Sequence, residues 1–94
     1  MARIAVIAKC KDQAKWEAGF RTHGDFFKAA YGVSKPVSYG IGEDDHVGAC
    51  FETDDVARAL SALSSAETAE AMEGDGLLRD TVRVFVFDKE LALP

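Results

Sequence analysis

The chain has no cluster of basic residues. Its eleven Lys and Arg side chains are scattered through 94 residues, never two in a row, and the net charge is −5. A phosphate backbone is held by grouped cations, so nucleic acid is not an expected partner. Long apolar runs are lacking too. The N-terminal MARIAVIAKC offers one Arg and a short apolar stretch, whereas a secretory core needs about 7–15 apolar residues and a membrane span about 20. A cytoplasmic protein with no membrane partner is expected. Cysteine is scarce: Cys10 and Cys50 lie in separate apolar runs, without the CxxC spacing of a zinc site or thioredoxin-type motif, and read as reduced, buried thiols. No glycine-rich phosphate loop is present, because Gly40-Ile41-Gly42 leads into carboxylates that repel phosphate. Those carboxylates, Glu43-Asp44-Asp45, stand beside His46, but hairpin side chains alternate and spread into solvent, so no metal site is expected. Nor does any Ser-His-Asp spacing stand out.

What is present is a high hydrophobic share, 48% against 29% charged residues. That composition belongs to a folded globular chain, and its length suits one domain over residues 1–94 that buries about 60–65% of its unfolded surface. The most informative stretch is DQAKWEAGFRTHGDFFKAAY, residues 12–31. At helical spacing, Trp16, Phe20, His23, Phe27 and Tyr31 fall within an arc of about 80°. Asp12 is placed to cap this helix and Gly32 to end it in the left-handed conformation.

Before that helix, Arg3–Cys10 is apolar at almost every position and predicts a strand buried on both flanks. After it, Pro36–Gly42 and His46–Thr53 are extended runs around the acidic turn, a hairpin whose proline suits an edge strand. Thr53 or Asp54 can cap a second helix carrying Val56, Leu60 and Leu63. Ser64 to Glu67 matches a capping box, so the helix restarts there and ends near Gly74. Thr81–Asp88 predicts a last strand, with Val82, Val84 and Val86 on one side and Phe85 and Phe87 on the other; Leu91–Pro94 is an apolar tail that could dock on a neighbour. The order β-α-β-β-α-β predicts a ferredoxin-like α+β fold, a four-stranded antiparallel sheet with two helices on one face. Helices cover one side of such a sheet, yet its first and last strands are apolar on both. A second copy, sheet against sheet, is expected to cover the other side, giving a homodimer.

KWEAGFRTH in the first helix, the glycine after it, and ALSALSSAETAEAMEGDGL in the second helix resemble the dimeric α/β-barrel superfamily, which includes antibiotic-biosynthesis monooxygenase-like proteins. The resemblance spans nearly the whole chain. It implies a sheet-to-sheet barrel with a pocket between sheet and helices in each subunit, walled by the aromatic stripe. The haem-degrading members use an Asn on the first strand and a His on the second helix. This chain has no Asn and no His there, so haem degradation is not expected. The first-strand His of polyketide-cyclase-like relatives is absent as well.

His23 is the candidate catalytic residue, since an imidazole in an apolar pocket can act as general base or orient a hydroxyl or carbonyl. Trp16, Phe20, Phe27 and Tyr31 are candidate substrate-binding residues as pocket wall, and Tyr31 and Tyr39 as hydroxyl donors. Arg83 sits among apolar neighbours, so its guanidinium must reach a carboxylate or a sheet edge, or bind an anionic substrate group. Two functional readings follow. One is a cofactor-independent enzyme of monooxygenase, isomerase or cyclase type acting on an apolar aromatic molecule. The other is a non-catalytic dimeric ligand-binding or structural domain whose histidine only supports the core.

Overall fold

Strand β1 (Ala2–Lys9) is apolar on both flanks and pairs along both edges. A computed structural model describes residues 2–94 and places β1 between β3 (His46–Thr53) and β4 (Arg83–Phe87), antiparallel to each. The short β2 (Ser38–Ile41) pairs with β3, so the sheet order is β2-β3-β1-β4 with β2 at an edge. Pro36 lies just before that edge strand, where no ladder hydrogen bond is lost. This is the ferredoxin-like α+β arrangement, with each expected helix divided in two.

Residues opposite one another in the ladder share a face. Ile4↔Phe51, Ile4↔Val86 and Val6↔Val84 therefore fix the helix side, where Ile4, Phe51, Tyr31 and Ala59 form the buried centre. Ala5↔Phe85, Ile7↔Gly48 and Arg3↔Phe87 fix the other side. There Phe85 is 50% and Phe87 55% exposed, with their rings stacked 6.5 Å apart.

The first helix is not continuous. It forms α1 (Gln13–Phe20) and α2 (Gly24–Tyr31), capped by Asp12 and Gly32 as expected. Between them Thr22 Oγ1 donates to the Gly19 carbonyl at 2.6 Å, and the N–H groups of Thr22 and His23 bond three residues back. Glycine and threonine hold helices weakly, and a threonine hydroxyl competes for backbone carbonyls, so the chain turns where Gly19, Thr22 and Gly24 gather. The second helix also divides, as the capping box predicts, into α3 (Val56–Leu63) and α4 (Ala66–Gly74). Both caps sit later than the sequence indicates, at Asp55 rather than Thr53 or Asp54 and at Ser65 rather than Ser64: Asp55 Oδ1 accepts from Arg58 N, and Ser65 Oγ accepts from Thr68 N. Thr53 is instead buried, its hydroxyl donating to the Tyr31 carbonyl at 2.9 Å and accepting from Asp55 N. The last strand is shorter than expected because Arg79–Thr81 forms a 3-10 turn, in which Thr81 Oγ1 accepts from Lys9 N at 2.9 Å.

In the β2–β3 turn Asp44 (φ 53°) and Asp45 (φ 59°) are left-handed, the geometry that matches hairpin twist but strains non-glycine residues. Asp44 pairs with Lys9 at 3.2 Å, and His46 Nδ1 donates to the Glu43 carbonyl. Asp45→Gly is expected to stabilise the fold by about 1 kcal/mol, because the left-handed cost disappears. A higher urea midpoint with an unchanged slope would register this. Among the described residues no helix is long and apolar enough to cross a membrane.

Candidate active site

Between the helices and the sheet lies a cavity of about 80 Å³. Trp16 and Phe20 from α1 and Phe27 and Tyr31 from α2 form one wall, with Val6, Val47 and Phe51 of the sheet opposite. The stripe thus survives the helix break and meets the sheet as a continuous aromatic chain. Trp16 stacks on Phe20 at 4.8 Å, Phe20 meets Phe27 edge-on at 5.6 Å, and Phe27 lies 5.1 Å from Tyr31. Such contacts add about 0.5–1.5 kcal/mol per pair beyond burial.

His23 lines the same cavity and owes its position to the break, as the residue that opens α2. Its Nε2 lies 2.8 Å from Asp75 Oδ2. A carboxylate accepts, so Nε2 carries a proton, and in the neutral ring the lone pair then lies on Nδ1. Nδ1 takes no hydrogen bond from the described residues, and the His23 side chain is partly exposed. Asp75 ends α4, and its side chain is only 12% exposed. The carboxylate approaches α1 so closely that a Cβ on Gly19 would sit 2.1 Å from Asp75 Oδ1.

That contact makes Gly19→Ala diagnostic. Helix propensity alone would raise stability by about 1 kcal/mol. Displacing Asp75 is expected to cancel this gain and leave a net loss of about 1–2 kcal/mol in denaturant unfolding. A stabilised variant would show that the carboxylate is free to move away.

Asp75 is the site residue that sequence reasoning missed. Within Gly74-Asp75-Gly76 it reads as a loop residue, and it stands 52 positions from His23. No local spacing links the two.

The remaining candidates separate. Tyr31 lines the cavity, its hydroxyl 2.6 Å from Thr68 Oγ1. Burial pushes this phenol above the ordinary tyrosine range, partly opposed by the Thr68 hydrogen bond. A raised folded-state value means the contribution is complete below the unfolded value of about 10 and is lost as pH rises past it. Tyr31→Phe is accordingly expected to lose less stability than the wild type between neutral pH and strongly alkaline pH. Denaturant midpoints taken along that pH series check it.

Tyr39 shares the helix side with Ala49 but does not line the cavity. Its ring packs on Trp16 and Phe20, and its hydroxyl donates to Glu17 Oε2 at 2.7 Å. That hydrogen bond, then burial, raises the phenol value. Arg83 lies elsewhere. The Arg83↔Ile7 register puts it on the sheet face away from the helices, where Nη1 donates to the carbonyls of Val82 and Asp80. It cannot share a ligand with His23 inside the cavity.

No family model matches the sequence, and no curated protein sequence matches it. Solved structures do match in shape. A protein provisionally named as an antibiotic biosynthesis monooxygenase from Bordetella bronchiseptica superimposes with a TM-score of 0.73 at 16% identity, over 96% of this chain and 97% of that one. The chain has the fold of the antibiotic biosynthesis monooxygenase-like structures. A variant of SnoaB, a cofactor-independent oxygenase from Streptomyces nogalater, gives 0.66 at 16% identity, over 99% and 96% of the two chains. A dimeric ferredoxin-like protein of unknown function from Thermobifida fusca gives 0.58 at 10% identity, over 92% and 88%.

Proposed function

We propose that this chain is a small cofactor-independent enzyme that takes a proton from an aromatic or polyketide-like molecule, with His23 as the base. The observation that carries this reading is the His23–Asp75 hydrogen bond beside an aromatic-walled cavity. Asp75 holds the imidazole in one tautomer and stabilises the imidazolium formed when Nδ1 accepts a proton. Trp16, Phe20, Phe27 and Tyr31 hold the rings of the ligand and keep water from the anion that results.

Oxygenation, isomerisation and cyclisation can all begin with this one proton transfer. Protonation at a different carbon isomerises the anion, and attack on an internal carbonyl closes a ring. In an oxygenation, dioxygen takes electrons from the anion itself: a ring CH₂ becomes C=O, one oxygen atom is retained, and the other leaves as water. The similarity to a cofactor-independent oxygenase supports including this last outcome.

The assembly that fits this reading is a homodimer through the open sheet face. Phe85 and Phe87 stand up from that face, and a shallow hollow of about 430 Å³ lies on it, floored by small residues including Ala5, Gly40, Gly48 and Cys50. Ridge and hollow on one surface can satisfy each other across a two-fold axis.

A second reading, a non-catalytic domain with His23 as a structural ion-pair partner, is favoured by one observation. The cavity of about 80 Å³ is well below the roughly 300 Å³ of ordinary small-molecule sites. The discriminating experiment incubates the purified protein with anthrone and with dihydroxynaphthalene, without added cofactor. Oxygen uptake or deuterium incorporation at ring carbons, above the rate without protein, is the expected result. Its absence with both compounds supports the structural reading.

A further inference from the structure

We infer that the site takes an aromatic molecule bearing one anionic group, admitted from an outer groove whose boundary with the inner cavity is Phe20 and Phe27. The inference rests on the proposed function and names the substrate class for the same site.

Alongside α2 and the segment leading into β2 lies a groove of about 660 Å³, much larger than the inner cavity. Two side chains line both spaces, Phe20 and Phe27. Their rings meet edge-on at 5.6 Å, and both are only partly buried. Phe20 also packs on Trp16 and Tyr39, and Phe27 on Tyr31 and Phe51. Turning the two rings joins groove to cavity at the cost of these contacts, which an entering aromatic ring replaces. The joined volume meets the size that the cavity alone does not reach.

The groove also selects charge. Arg21, Lys28 and Lys35 line it against the single carboxylate Asp25, in a chain whose total charge is −5. Lys35 is engaged by Glu52 at 3.0 Å, whereas Arg21 and Lys28 form no ion pair among the described residues. These two cations without an ion pair, Arg21 standing beside the Tyr39 hydroxyl, flank an apolar floor and complement a carboxylate carried on an aromatic body. The rings then pass inward toward His23, and the anion remains at the groove with Arg21 and Lys28.

Trp16 is the sole tryptophan and stacks on Phe20, so its fluorescence reports displacement of that ring. The test titrates the protein with naphthoate and with the neutral acetylnaphthalene while Trp16 emission is followed. Naphthoate is expected to bind about tenfold more tightly or better, with a preference that weakens in salt. Arg21→Ala with Lys28→Ala is expected to abolish the preference while leaving the affinity for acetylnaphthalene unchanged. Equal affinities in the wild type, or a preference that survives both substitutions, would overturn the charge assignment and leave the general-base reading standing. If neither compound alters Trp16, the charge assignment fails, and oxygen uptake or deuterium incorporation decides the general-base reading separately.

Discussion

Phe85→Glu is expected to leave the helices and strands intact and to halve the particle mass in solution, from two chains to one. Within one chain Phe85 is half-exposed, so its loss opens no cavity in the helix-side core. Across the proposed two-fold interface the same position, on the edge strand β4, is expected to lie among the apolar side chains Ala5, Ile7 and Phe87. An unpaired carboxylate buried there costs several kcal/mol, enough to shift a micromolar equilibrium by orders of magnitude. Light scattering after size exclusion reads the mass, and far-UV circular dichroism verifies that the chain remains folded. A wild-type mass of one chain would remove the sheet-to-sheet assembly altogether.

The second large effect is on rate. His23→Gln keeps a side chain that can hydrogen-bond Asp75 but has no group that can accept a proton at neutral pH. Proton abstraction from an anthrone-type compound is expected to fall by about 10²–10⁴-fold, the range spanned by loss of a positioned general base. Asp75→Asn is expected to lower the rate too, because the amide no longer stabilises an imidazolium or fixes its tautomer. Stability moves far less: the pair is partly solvated, with His23 26% exposed, so its loss is expected to be about 1 kcal/mol or less. Rates that survive His23→Gln, joined to a large loss of stability, would make the histidine a structural element.

The strands were legible because apolar residues on both flanks of Arg3–Cys10 and Thr81–Asp88 admit few other structures, and their order then indicates the ferredoxin-like fold. The stripe from Trp16 to Tyr31 was legible for a similar reason, since one helical face recurs at a fixed spacing. Finer features depend on contacts that a local pattern does not contain. The helix break at Thr22 follows from a hydroxyl capturing the Gly19 carbonyl, a competition hidden in a periodicity that continues straight through it. Arg83 illustrates a parity problem. Its strand is apolar on both sides, so alternation groups Arg83 with Phe85 and Phe87 without showing which group faces the helices. Pairing with Ile7 decides it. Asp75 was out of reach altogether, because the space it occupies exists only where α4 ends against the glycine of α1.

The most direct test of the site is the tautomer of His23, read from the imidazole ¹⁵N resonances at a pH where the ring is neutral. The Asp75 hydrogen bond predicts a proton on Nε2 and a bare lone pair on Nδ1. The Nδ1 resonance is then expected to move when dihydroxynaphthalene is added. A proton on Nδ1, or an Nδ1 resonance indifferent to every aromatic ligand that perturbs Trp16, would contradict a base at this cavity.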